Sequence, residues 1–348
     1  MRPLVKWHGG LEQNLGYIQE IMPRNNERYY EPFLGGGAVY FSVQGHPCLV
    51  NDKCRDLMNI YKYARKESRQ FRVLFKMMSA AMKKMDAFYL RIVDDLEDIT
   101  ERNRRGCYSD FTRLVADVNE QADRIAYSEI FPYLIPDPDD FKLEKRHNVI
   151  QEILRMETLT DLDEEDVNFN ILMALKQSVY SFITEVLNKK SIGAEEKAAA
   201  LAFILNYSAD VPYKKDECGE YRLPFGGKKL VNKYLTEQCG MLSSEELRDH
   251  FARTVFECMD AVDFMKKHEP AVEDFILLDP PDELKRGAKT WDYTPDAHRR
   301  LAKYLMDECD ARWILLLRPN ASSLPLYRHY GVNIYPMEGF DKLIVKNY

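Results

Sequence analysis

The run Phe275-Ile276-Leu277-Leu278, closed at once by Asp279-Pro280-Pro281-Asp282, constrains the fold of this chain more than any other stretch. Four consecutive apolar residues ending in a turn signal read as a buried strand, and in open α/β sheets ligands gather beyond the carboxyl ends of strands. Asp279 therefore falls where chemistry is usually done. Pro280 and Pro281 fix their φ angles and carry no N–H, so the exit is stiff and offers carbonyl acceptors without competing donors. A rigid acceptor cluster suits an amino group. Asp followed by proline is also common in plain strand-to-turn exits, so this corner takes its meaning from the residues upstream.

Upstream, the first 65 residues alternate short apolar strands with glycine turns. Tyr29-Tyr30-Glu31-Pro32-Phe33 runs into Leu34-Gly35-Gly36-Gly37, after which Ala38 to Val43 is expected to begin a helix. Pro47 to Asp52 reads as a second strand ending in an acid, and Arg55 to Arg65 as the next helix, the opening of a βαβ unit. From about residue 66 to 210 the pattern becomes helical, interrupted near Phe131-Pro132. Around 211–234, glycines, Pro224, aromatics and lysines suggest a structured loop. Ser244 is expected to cap a helix, Thr254-Val255-Phe256-Glu257 to form a strand, and residues 261–268 a helix. The tail adds a helix over 296–309 and strands at 313–317 and 342–346. The expected fold is an α/β Rossmann-like sheet built from residues 1–65 and 241–348, with 66–240 as a large helical insertion.

A length of 348 residues with 45% apolar content supports a sizeable core. No apolar stretch approaches the roughly 20 residues that span a bilayer, and no apolar signal segment follows Lys6, so a cytoplasmic protein is expected, nucleoid-associated if prokaryotic. Seven cysteines without a Cys-x-x-Cys pair read as reduced thiols, and no metal site is expected. The net charge of −7 argues against a chain that coats nucleic acid indiscriminately. Local basic pairs at Lys214-Lys215 and Lys228-Lys229 still leave room for a basic face, although such pairs are commonly just solvated surface. The absence of Gly-x-x-x-x-Gly-Lys-Ser/Thr sets aside a P-loop ATPase.

The glycines and the acid have a physical reading of their own. Gly35 and Gly37 lack a Cβ, so the backbone can turn sharply and approach a ligand closely. Asp52, at the end of the next strand, is placed to accept hydrogen bonds from ribose hydroxyls, as an acid does in dinucleotide folds. A tight turn and a capping aspartate are the plainer alternatives. Trp7 fits either a pocket wall or a packing anchor.

Four landmarks occur in order: Lys6-Trp7-His8-Gly9-Gly10, Glu31-Pro32-Phe33-Leu34-Gly35-Gly36-Gly37, Asn51-Asp52 and Asp279-Pro280-Pro281. In these the chain resembles the Dam-type (D12 class) DNA adenine-N6 methyltransferases. The resemblance extends to Gly219-Glu220-Tyr221-Arg222-Leu223-Pro224-Phe225-Gly226 and to the terminal Leu343 to Tyr348, while most of the helical middle carries no recognisable motif. It implies S-adenosylmethionine as cofactor, held by Trp7, Gly9, Gly10, Leu11, Phe33, Gly35, Gly37, Asp52 and Asp279. It implies double-stranded DNA as partner, met by Lys214, Lys215, Tyr221, Arg222, Lys228 and Lys229 in the target-recognition insertion. The catalytic corner is Asp279, Pro280, Pro281 and Asp282. Adenine N6 is a poor nucleophile stacked inside the duplex, so the base is flipped out. The Asp279 carboxylate and Pro280 carbonyl then accept the N6 hydrogens and stabilise positive charge developing on nitrogen.

Three positions depart from the family pattern. Asp282 replaces an aromatic that stacks on the extruded base, a contact worth about 1–3 kcal/mol; Trp291 or Tyr293 is the candidate substitute. Leu11 replaces a lysine, and Arg222 an asparagine. These departures keep a second reading open: a catalytically degenerate methyltransferase fold that binds DNA or a partner subunit without methyl transfer.

Overall fold

The structure is a computed structural model and describes residues 1–104, 164–209, 215–281, 293–318, 323–328, 331–337 and 339–348. The chain divides into two compact units, one comprising residues 1–66, 212–215 and 241–348, the other residues 67–211 and 216–240.

The first unit is built on a seven-stranded sheet. Its strands are β1 (Tyr29–Glu31), β2 (Cys48–Asn51), β3 (Thr254–Glu257), β4 (Phe275–Leu278), β5 (Arg312–Leu317), β6 (Asn333–Pro336) and β7 (Leu343–Lys346). They lie in the order β3-β2-β1-β4-β5-β7-β6. The first five are mutually parallel, whereas β7 runs antiparallel between β5 and β6. This is the mixed, mostly parallel α/β sheet, Rossmann-like in its parallel part, that the sequence led us to expect. Strand order reverses at β1, whose neighbours are β2 and β4, and such a switch point opens a crevice at the carboxyl ends.

Sequence explains the layering. All residues of β4 are buried, as are Trp313 to Leu317 of β5, so these strands carry apolar side chains on both faces. Helices α1 (Leu15–Ile21), α2 (Arg55–Arg65), α7 (Glu245–Ala252), α8 (Ala261–His268) and α9 (Pro295–Asp307) belong to this unit. The Ser244 hydroxyl accepts the Leu247 N–H at 3.2 Å, the Asp260 carboxylate caps α8 and the Thr294 hydroxyl caps α9, each satisfying orphan donors of a first turn. Asn347 closes the far edge, accepting the Trp313 N–H at 2.8 Å and donating to the Ala311 carbonyl at 2.9 Å.

One expectation fails. No α-helix follows the glycine turn; the chain makes only a 3-10 turn at Tyr40–Ser42 before Val43 becomes extended. Val39, Tyr40 and Phe41 are all fully buried, and their bulk is needed on every side rather than on one helical stripe. Consequently no helix N-terminus points from this turn at a ligand.

The second unit is helical, with α3 (Arg69–Arg104), α4 (Glu164–Asn188), α5 (Ala194–Tyr207) and the short α6 (Thr236–Met241). Phe71, Phe75, Met78 and Met82 recur at helical spacing on α3 and are buried with Leu175, Phe182, Ile183 and Val186 of α4. Lys176 is wholly buried, its ammonium 2.5 Å from Asp86 and 2.6 Å from the Val231 carbonyl.

Candidate functional site

The site begins with register. β1 and β4 are adjacent and parallel, with Tyr29 opposite Phe275 and Tyr30 opposite Ile276, so both strands leave the sheet on one rim. The glycine turn after β1 and the Asp279 corner after β4 therefore share a crevice mouth, although they are more than 240 residues apart in the chain.

Three strand exits are tied together by Asn51, fully buried at the end of β2. Its amide donates to the carbonyls of Pro32 at 3.0 Å and Met259 at 3.1 Å, while its Oδ1 accepts the Met259 N–H at 3.0 Å. The next residue, Asp52, accepts the Gly35 N–H at 3.0 Å and the Cys54 N–H at 2.8 Å, and the Tyr61 hydroxyl donates to the Gly35 carbonyl at 3.0 Å. Burial raises the proton affinity of Asp52, and these two N–H donors oppose that rise. A carboxylate offers about four lone-pair sites, so Asp52 orders the turn and retains capacity for a ligand hydroxyl.

Gly35 has φ +51° and Gly37 φ +70°, left-handed conformations that L side chains rarely adopt. Trp7 lies directly over this turn: a Cβ on Gly35 would stand 2.9 Å from the Trp7 Cδ1. The Trp7-Gly10 motif and the glycine turn, separate in sequence, are thus one wall. Gly9 gives that motif its own turn at φ +73°, with the Gly10 N–H donating to the Trp7 carbonyl at 3.0 Å. Leu11 follows in a 3-10 turn with its side chain buried. Phe33 packs edge-on against Tyr293, one of the two candidate substitute aromatics, with ring centroids 5.6 Å apart at 87°, and the Tyr293 ring also meets His298 against the core. Asp282 and Trp291 lie outside the described residues.

Two charged groups found here were missed in the sequence. Glu31 ends β1 and is buried, its Oε2 accepting the Tyr29 hydroxyl at 2.6 Å. Burial pushes its pKa up to about 8; the Tyr29 hydroxyl opposes this, and the nearby Asp279 and Asp52 reinforce it. An acid at a strand end beside a glycine turn was the available signal. Lys342, immediately before β7, places its ammonium 2.6 Å from the Asp279 Oδ1. No local signal marks this pair, because only the antiparallel insertion of β7 beside β5 carries residue 342 to the rim.

The residues expected to meet DNA separate. Tyr221 is buried at 1% exposure, and its backbone is bracketed by Asn188, which accepts the Tyr221 N–H at 2.8 Å and donates to its carbonyl at 3.3 Å. Its side chain lies within the helical unit rather than on its surface. Arg222 is exposed but ion-paired with Asp216 at 2.8 Å and Glu220 at 2.9 Å. Lys215 pairs with Asp56 at 2.6 Å. Lys228 and Lys229 are exposed on a 3-10 turn, with Lys228 over the Phe169 ring at 5.2 Å. Lys214 lies outside the described residues. Among the described residues, no helix is long and apolar enough to cross a membrane.

Comparison with known proteins follows these landmarks. Residues 7–127 match the D12 class N6 adenine-specific DNA methyltransferase family. Type II methyltransferase M1.LlaDCHI of Lactococcus lactis subsp. cremoris is 40% identical over 62 residues, covering 18% of this chain and 22% of the relative. Type II methyltransferase M.MjaIII of Methanocaldococcus jannaschii is 31% identical over 121 residues, covering 31% and 40%. The DNA N-6-adenine-methyltransferase of Escherichia phage P1 is 30% identical over 125 residues, covering 32% and 16%. The matched stretches thus span less than half of each of these relatives.

Proposed function

We propose, for a chain whose residues 7–127 match the D12 class, that it transfers a methyl group from S-adenosylmethionine to N6 of an adenine flipped out of double-stranded DNA. The observation that carries this reading is the shared rim of β1 and β4, which sets the Gly35 turn and the Asp279 corner at one crevice. The donor set suits the cofactor: S-adenosylmethionine bears a sulfonium and an ammonium, and the rim gathers the Asp52 and Asp279 carboxylates. When bound, it supplies an electrophilic methyl group.

The protein's own residues do the rest. Trp7 and the Gly35 turn wall the cofactor side, with Asp52 available to its hydroxyls. Asp279 and the Pro280 carbonyl accept the two N6 hydrogens, which localises the nitrogen lone pair and stabilises positive charge as it develops. Tyr293, beside Phe33, is the ring we assign to the base side in place of the missing aromatic at 282. The insertion, taken as residues 66–240, serves target recognition, with exposed Lys228 and Lys229 as phosphate contacts.

A second reading, a fold that binds DNA or a partner subunit without transfer, is favoured by one observation: an apolar, buried Leu11 stands where the family resemblance leads one to expect a lysine. Incubation with radiolabelled S-adenosylmethionine and unmethylated duplex separates the two. Label on adenine that disappears in Asp279→Ala supports transfer, whereas cofactor or DNA binding without label supports the second reading.

A further inference from the structure

We propose that Lys342 is a positioning residue for the methyl transfer, its ammonium holding the Asp279 carboxylate ionised and in place as the acceptor for the adenine amine. The inference rests on the methyltransferase reading above and assigns a task to a residue that none of the motifs contains.

The first support is topological. β7 runs against its neighbours, with Leu343 opposite both Leu317 at the end of β5 and Pro336 at the end of β6. The start of β7 therefore lies at the rim where the parallel strands finish. Lys342 is fixed there by its own backbone, since its carbonyl accepts the Met337 N–H at 2.9 Å and closes the β6–β7 hairpin. The side chain does not reach Asp279 by chance of a mobile tail.

The second support is electrostatic. The rim holds Glu31 on β1, Asp52 after β2 and Asp279 after β4, and like charges crowded together favour uptake of a proton by one of them. Ionised, the Asp279 carboxyl offers only acceptors and a negative charge to offset the one developing on the amine, whereas protonated it presents a hydrogen of its own on one oxygen. Lys342 is the counter-charge at 2.6 Å, and the two side chains are only 17% and 16% exposed, so salt screens the pair weakly. One ammonium occupies one of the roughly four lone-pair sites of a carboxylate, so the ion pair does not by itself exclude an amine donor. Among the described residues, Lys342 from β7 is ion-paired with Asp279, and Glu31 from β1 interacts with it electrostatically.

The test uses the full chain as wild type, Lys342→Met, which keeps the length and removes the charge, and Lys342→Arg, which restores it. Aspartate-selective 13C NMR follows the Asp279 carboxyl, identified by its loss in Asp279→Asn. Methyl transfer to unmethylated duplex is measured in parallel as a function of pH over a range of S-adenosylmethionine concentrations up to saturation. The expected result is a titration midpoint for Asp279 that rises by about 1–3 pH units in Lys342→Met. The acid limb of the kcat profile moves by the same amount, KM for the cofactor stays put, and Lys342→Arg returns both. An active enzyme whose Asp279 midpoint and acid limb ignore Lys342→Met overturns the role of Lys342 while leaving the methyltransferase reading intact. A shifted midpoint in a protein that transfers no methyl at any pH overturns both the reaction and the part given to Lys342 in it.

Discussion

Replacing Gly35 with alanine tests the wall formed by Trp7 and the glycine turn. Gly35 sits at φ +51°, and a β-carbon there would lie 2.9 Å from the Trp7 Cδ1. The left-handed backbone costs an L residue about 1–2 kcal/mol. Forcing the indole or the turn aside adds about 1–3 kcal/mol of overpacking. The sum is about 2–5 kcal/mol, and at roughly 2–4 °C per kcal/mol for a domain of this size the midpoint falls by about 4–20 °C. Gly9→Ala is the control, because Gly9 has φ +73° with nothing within 4 Å of an added Cβ. It should cost only the backbone part, about 1–2 kcal/mol. Urea unfolding followed by tryptophan fluorescence reads both, and Trp7→Ala combined with Gly35→Ala should fall short of additivity by the overpacking part. Equal losses in Gly35→Ala and Gly9→Ala, or strict additivity of the pair, would refute the contact.

Glu31 holds its proton to about pH 8 in the fold but releases it near 4.5 when unfolded. Its contribution to stability is complete below 4.5 and is lost as pH rises towards 8, so Glu31→Gln should flatten this decline in chemical denaturation. His250 is the opposite case: burial, then Arg253 and the N-terminal ammonium, lower its pKa to about 4 from 6.5. The unfolded chain takes up that proton first, so stability present above 6.5 is lost as pH falls towards 4, and His250→Phe should remove this acid sensitivity in thermal melts. If Lys228 and Lys229 contact phosphates, replacing both with alanine should weaken duplex binding for all sequences and reduce the slope of log affinity against log salt by about 2; an unchanged slope would place them off the DNA.

Much of the sheet was legible because its signals are local. An unbroken apolar run such as Phe275 to Leu278 has few homes other than a strand covered on both faces, and Ser244 announces a helix start by its chemistry. β6 was not legible: Asn333 and Pro336 are exposed, Pro336 removes a donor, and an edge strand with a mixed pattern carries little signal. The stretch after Gly37 misled because Val39, Tyr40 and Phe41 look like a helical start, yet all three are consumed by packing. At the rim, motif residues could be named one by one. What joins them could not, since the approach of Trp7 to Gly35 and of Lys342 to Asp279 depends on strand order. Tyr221 shows the converse, a residue whose polar, basic neighbourhood suggests a surface while the fold buries its ring.

The central claim is that the β1–β4 rim performs adenine methylation, with Asp279 as the acceptor. The most direct measurement is mass spectrometry of nucleosides from DNA propagated in a host free of adenine methylation that produces either this protein or its Asp279→Ala form. The account predicts N6-methyldeoxyadenosine with the wild type and its disappearance with Asp279→Ala at equal protein levels. Methylated adenine that persists in Asp279→Ala, or its absence with a folded wild-type protein that binds S-adenosylmethionine, would contradict it.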